Sequence, residues 1–218
     1  MSNIINEISL ALQKGSSGTV TELVTKALDE GIPAEDILNQ GLLAGMDIVA
    51  DNFKNNIMYV PEVLVAARAM NAGAEILKPH LVASGVKPIG KAVIGTVKGD
   101  LHDIGKNILR MMLEGKGIEV IDVGVDASSE KFINAQKESN ADVIGLSALL
   151  TTTMVEMDKT VAAFTEAGLR DDVIIMVGGA PLTEVYCRKA GADLYAADAA
   201  TGAELAKNAI LRKKGISQ

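Results

Sequence analysis

Two positions apart, Asp100 and His102 pair a carboxylate with an imidazole in the segment Gly99-Asp100-Leu101-His102-Asp103-Ile104-Gly105. At that spacing the carboxylate can reach a ring nitrogen and fix the imidazole's tautomer. A carboxylate behind a histidine is the usual support of a metal ligand. The short apolar run at 91–97 before the pair reads as a buried parallel strand. After it, Ile104, Ile108, Leu109, Met112 and Leu113 recur at helical spacing. His102 is therefore expected at the carboxyl end of a strand, where open α/β sheets bind their ligands.

The elements that must position this pair fall into two halves with different periodicity. Residues 1–88 read as helices only, an antiparallel four-helix bundle. Segments 4–13 and 19–28 give two short helices, broken at Gly15-Ser16-Ser17-Gly18 and at Gly31-Ile32-Pro33. Pro33 followed by Glu35 and Asp36 signals the start of a third, whose expected inner face is Leu38, Leu42, Met46, Val49 and Phe53. The fourth runs from Pro61, with Val60, Val63, Ala67, Met70, Ala74, Leu77 and Leu81 alternating at spacings of 3 and 4, a bundle seam. Pro79 is expected to end or kink it. Gly85-Val86-Lys87-Pro88-Ile89-Gly90 reads as a linker.

Over 89–218 the period changes. Apolar runs at 92–97, 118–123, 142–147, 173–177 and 193–196 alternate with helical patterns at 104–115, 128–139, 153–168, 182–190 and 200–213. That alternation predicts an α/β domain, a doubly wound, flavodoxin-like parallel sheet of five strands.

Composition removes several classes. A net charge of −7 without a basic tract argues against a nucleic-acid partner, and three Phe, three Tyr and no Trp leave little to stack bases on. No apolar run has the length of a membrane helix, and the first fifteen residues are mixed and amphipathic rather than a signal peptide. The single Cys187 suits a reducing cytoplasm, and the expected location is cytoplasmic. Nine methionines are numerous, and methionine is an adaptable filler beside bulky groups as well as in ordinary cores.

Function in such a sheet collects at the strand ends. The first expected strand ends in Asp100-Leu101-His102, the third in Ser147-Ala148-Leu149-Leu150-Thr151, and the fourth in Val177-Gly178-Gly179-Ala180. A phospho-receiver needs a carboxylate where Ser147 stands. A flavin-phosphate loop would be repelled by Asp100 and Asp103, and a glycine-rich dinucleotide fingerprint is missing. A neutral pocket with an imidazole at its mouth remains.

Asp100-x-His102-x-x-Gly105, then Ser147-x-Leu149, then Gly178-Gly179, separated by 41 and 28 residues, resembles the cobalamin-binding signature of methionine synthase and of corrinoid methyl-carrier proteins. In the first half, Met58-Tyr59-Val60-Pro61-Glu62-Val63, Ala66-Ala67-Arg68-Ala69-Met70, Gly45-Met46 and Phe53 resemble the same family's helical cap, so the likeness spans the chain. Tyr59 departs from it, since Phe is usual there.

The resemblance implies a cobalamin cofactor with its benzimidazole tail released from cobalt and buried in the sheet domain. Gly105, Ser147, Thr151, Gly178 and Gly179 line that tail, with Asp103 and Leu149 also at the cofactor. His102 takes the lower cobalt position with Asp100 behind it, and Tyr59 and Met70 of the cap face the upper side. It further implies a methyl group accepted on cobalt from a substrate-specific methyltransferase and passed to a second methyltransferase, with coenzyme M or tetrahydrofolate as acceptor. A corrinoid reactivation protein is a third partner. Such carriers serve anaerobic one-carbon metabolism, including methanogenesis, and are not complete enzymes alone.

Plainer readings of the same residues stand beside these. Asp100 suits a helix N-cap, Ser147 and Thr151 suit turns, Gly178-Gly179 suits a tight turn, and His80 and Cys187 suit structural positions. A cobalamin sensor or storage module, and the cobalamin domain of a radical mutase, are the competing functional classes. The first would normally add an output module and the second would lack the four-helix cap.

Overall fold

The structure, a computed structural model, describes residues 3–85 and 87–216. Val86 of the expected linker lies outside the described residues. The chain divides into two compact units, Met1–Pro88 with Gly115–Gly117, and Ile89–Glu114 with Ile118–Gln218.

The first unit is helical. Helix α1 spans Asn3–Gln13 and α2 spans Ser17–Asp29. A short α3, Ala34–Asp36, runs through a π-helical segment, Ile37–Leu43, into α4, Ala44–Lys54. Helix α5 spans Val60–Ser84. Ile8, Leu12, Val20, Val24, Leu42, Met46, Val49, Val63 and Leu77 are buried in its core. The π turns change the expected inner face. Their wider i→i+5 bonding shifts the register by one residue, so Ile37 is fully buried while Leu38 is only half-buried. At Gly45 a Cβ would stand 3.2 Å from the Ser9 Cα, so the missing side chain lets α1 and α4 approach closely. Glu62 accepts the Tyr59 amide at 2.7 Å, one half of a capping box at the start of α5. Of the two outcomes expected at Pro79, an end to the helix is not the one seen: α5 runs on to Ser84, with Pro79 exposed near its last turns. Among the described residues no helix is long and apolar enough to cross a membrane.

The second unit is the expected α/β sheet. Strands β1 (Gly90–Thr96), β2 (Ile118–Asp122), β3 (Val143–Ser147), β4 (Ile174–Gly178) and β5 (Leu194–Ala196) are all parallel, in the order β2-β1-β3-β4-β5. Helices α6 (Ile104–Glu114), α7 (Ser129–Ser139), α8 (Val155–Glu166), α9 (Glu184–Ala190) and α10 (Ala199–Lys213) alternate with them. Helix α6 packs with α10, while α7, α8 and α9 neighbour one another, so both faces are covered. That is why β1, β3 and β4 read as continuous apolar runs rather than alternating ones. Val93, Phe132, Ile144, Phe164, Ile175 and Val177 form the core on the α7–α9 side. The sheet order reverses direction between β1 and β3, which opens a crevice at their carboxyl ends.

Candidate functional site

The three expected strand ends stand in one row. Thr96 of β1 pairs with Ser147 of β3, and Ser147 pairs with Gly178 of β4. The loop leaving β1 carries Asp100 and His102 over the β1–β3 crevice and leads into α6.

Asp100 is fully buried, and its two oxygens divide five donors between them. Oδ1 accepts the His102 amide at 3.1 Å and lies 2.7 Å from the His102 Nδ1. Oδ2 accepts the Leu149 amide at 2.8 Å, the Leu150 amide at 3.2 Å and the Thr153 hydroxyl at 2.8 Å. Burial by itself raises a carboxyl pKa, but the bonds from the Leu149 amide, the His102 ring, the Thr153 hydroxyl and the His102 amide outweigh it. Together they hold Asp100 well below the usual carboxylate range. Asp100 is thus an anion, acceptor-only, and the ring proton of His102 belongs on Nδ1. The basic lone pair is left on Nε2, on a side chain that is 51 % exposed.

Thr153 is a residue of the site that sequence reasoning missed. It stands third in the run Thr151-Thr152-Thr153, and nothing in residue type separates the three. The fold separates them: Thr151 and Thr152 are exposed, whereas Thr153 is buried against Asp100 and also donates to the Leu150 carbonyl. Leu149 meets Asp100 through its backbone, with its side chain exposed. Asp103 is exposed and accepts the Asn107 side-chain amide at 3.1 Å and its backbone amide at 2.8 Å, which opens α6.

Gly105 lies in the first turn of α6, where a Cβ would meet no atom within 4 Å. Gly178 would carry a Cβ in tight contact with Ala196, at 3.3 Å. Gly179 differs, with φ at +137° and a hypothetical Cβ 1.8 Å from the Ala148 carbonyl oxygen. Its smallness is dictated by the protein's own backbone. Tyr59 and Met70 belong to the helical unit, Tyr59 exposed before α5 and Met70 buried within it. His80 is exposed, and Cys187 is a buried thiol pushed up in pKa by burial and by Asp193 and Glu184.

Two family models, each described as a B12 binding domain, match this chain, one over residues 90–206 and the other over 4–78. A corrinoid protein of Desulfitobacterium hafniense is 40 % identical over 97 % of this chain and 99 % of its own length. The chain belongs to the B12-binding corrinoid protein family. A dimethylamine corrinoid protein of Methanosarcina barkeri is 44 % identical to this corrinoid protein, over 94 % of it and 96 % of the relative. Among solved structures, a cobalamin-binding protein from D. hafniense superposes with a TM-score of 0.79 at 32 % identity, covering 94 % of this chain and 98 % of that one. The methanol:cobalamin methyltransferase complex of M. barkeri superposes with a TM-score of 0.86 at 27 % identity, covering all of this chain and 86 % of that one.

The cofactor is accordingly a corrinoid, and the residues present fit one. A single half-exposed imidazole with a free Nε2 lone pair suits a metal whose other ligands travel with it. Around it Leu101, Ile104, Leu149 and Leu150 hold apolar side chains out toward solvent, a surface that gains from being covered. The open space at Gly105 admits a bulky group beside the helix start.

Proposed function

We propose that this corrinoid protein is a methyl carrier that works between two methyltransferases. The observation that carries the reading is the 2.7 Å contact between the buried Asp100 anion and the Nδ1 of His102, which leaves Nε2 as the basic nitrogen. When bound, the corrinoid supplies a cobalt centre able to accept and release a methyl group.

His102 would hold that metal through Nε2. Asp100 holds the proton on Nδ1 and fixes the ring's tautomer. Leu149, Leu150 and Thr153 hold Asp100 as an anion by filling its second oxygen. Ser147, Gly178 and Gly179, with Gly105 and Thr151, line the space for the cofactor's tail. Once covered by the cofactor, the exposed side chains of Leu101, Ile104, Leu149 and Leu150 would help to keep water from the imidazole. From the helical unit, residues 1–88, Tyr59 and Met70 would contribute to holding the cofactor. From residues 89–218, His102 would supply the metal ligand.

A substrate-specific methyltransferase is the donor partner. This is supported by the dimethylamine corrinoid proteins among the relatives and by the likeness to a methanol:cobalamin methyltransferase complex. A second methyltransferase, with coenzyme M or tetrahydrofolate as acceptor, and a corrinoid reactivation protein complete the system.

The test is an EPR spectrum of the cobalt(II) form, with nitrogen-15 histidine against unlabelled protein, for wild type and His102→Ala. Label-dependent splitting that disappears in the variant is expected. Label-independent splitting identical to free cobalamin would put the cofactor's own base on the metal and favour a storage or sensor role.

A further inference from the structure

The bonds that His102 makes to Asp100 leave its direction undetermined. Its amide and its Nδ1 both run to one atom, Asp100 Oδ1, at 3.1 and 2.7 Å. Two bonds converging on a single acceptor define a pivot, about which the ring can swing while both remain intact. A third point on a different atom is needed to aim Nε2.

That point is Thr96. It is the last residue of β1 and fully buried. Its backbone is already satisfied, the amide donating to the Gly124 carbonyl and the carbonyl accepting from the Ala127 amide, both at 2.9 Å. The hydroxyl, free of ladder duty, donates to the His102 carbonyl at 2.8 Å. The rest of the loop is tied elsewhere. Asp126, in a left-handed conformation at φ 50°, accepts the Gly99 amide at 2.7 Å on Oδ1 and donates its own amide to the Asp100 carbonyl at 3.0 Å. Asp103 opens α6 through Asn107. Between those anchors lie Leu101, 71 % exposed, and His102. The Thr96 hydroxyl is the bond that ties this span to the sheet.

We infer that Thr96 is a positioning residue for His102: its hydroxyl fixes the His102 peptide so that Nε2 points at the metal. The inference rests on the reading of His102 as the metal ligand. It makes the rigid end of β1, rather than the loop, the reference for the ligand's direction.

Thr96→Val tests it, because valine keeps the β-branched shape and both backbone bonds while deleting the donor. Thr96→Ser keeps the donor and deletes the methyl group. Cobalamin-loaded protein with nitrogen-15 histidine is reduced to cobalt(II) and titrated with unlabelled imidazole, and EPR reads the replacement of the labelled splitting. Loss of one net hydrogen bond predicts that Thr96→Val needs about fivefold less imidazole for half-replacement, with Thr96→Ser at the wild-type value. In the cofactor-free protein, hydrogen exchange of the His102 amide should quicken in Thr96→Val while the Ala127 amide keeps its protection.

An unchanged half-replacement concentration in Thr96→Val overturns the inference. So does an equal drop in Thr96→Ser, which would assign the effect to packing. Should Thr96→Val fail to load, Thr96→Ser decides the matter by the same criterion, together with exchange at His102. A wild-type protein without labelled splitting would instead refute the ligand reading itself.

Discussion

Replacing Asp100 by asparagine exchanges one oxygen for an NH2 group and sets a conflict that the structure resolves in one direction. Five donors face the two carboxylate oxygens. If the new NH2 group takes the Oδ2 side, it confronts the Leu149 and Leu150 amides, which cannot reverse. On the Oδ1 side it confronts the His102 amide and the His102 ring, and the ring alone can turn from donor to acceptor by moving its proton to Nε2. The asparagine therefore drives His102 into the tautomer whose outward nitrogen is no longer basic. Two bonds to a charged acceptor are lost, each contributing ~1.5–3 kcal/mol. His102 is half exposed, so the lower figure applies and the gross loss is about 3 kcal/mol. Relief of the buried charge offsets part of this, leaving a net destabilisation of about 2 kcal/mol.

Urea unfolding of the cofactor-free protein reads that difference, and cobalt(II) EPR reads the ligand, whose affinity should fall about 10–100-fold. The stability gap also carries a pH signature. The folded-state pKa of Asp100 lies below its ordinary value of 3.8, so the unfolded chain binds the proton first on acidification. The stabilisation is complete above that value and is lost as pH falls through the folded one. Wild type and Asp100→Asn should differ most above about pH 4 and converge below it. An Asp100→Asn protein with the wild-type urea midpoint and undiminished histidine splitting would refute this account of the site.

Thr153→Val removes the side-chain donor to Asp100 Oδ2 and leaves the two amides, which predicts a destabilisation of about 1.5 kcal/mol by urea unfolding and weaker histidine ligation by EPR. Gly179→Ala should cost at least about 3 kcal/mol, since its Cβ would overlap the Ala148 carbonyl, whereas Gly178→Ala should stay within about 1 kcal/mol. Paired thermal melts separate the two, and equal losses would contradict the packing described. Gly105→Ala, in open space on a helix, should stabilise the cofactor-free protein by about 0.5 kcal/mol while lowering cobalamin affinity in equilibrium dialysis. Unchanged affinity would remove Gly105 from the cofactor surface.

The strands and helices of the sheet unit were legible because burial on both faces writes apolar runs and amphipathic intervals directly into residue order. The order of the strands followed from crossover rules rather than from any residue. The helical unit was read less well where bonding departs from the α pattern. A 3.6-residue period placed Leu38 inward, and the π turns turn Ile37 there instead. Pro79 shows the limit of a local rule, because α5 continues to Ser84 despite it. At the site, Asp100 and His102 are neighbours in sequence and could be paired on spacing alone. Thr153 and Thr96 could not. One is chosen from three adjacent threonines by how the loop after β3 turns, and the other is an ordinary strand residue until its hydroxyl meets a carbonyl six positions on.

The Asp100 carboxylate also has a bearing on when the site comes into being. Its second oxygen binds groups 49, 50 and 53 residues further along the chain. During synthesis His102 emerges well before the residues that anchor its carboxylate, and closing so wide a loop is a slow, non-local event. Until β3 docks beside β1, the imidazole has a partner that is itself unanchored. Competence to take up the corrinoid is thus acquired late, on completion of the central sheet, and a chain stalled before Thr153 carries the ligand without the means to aim it.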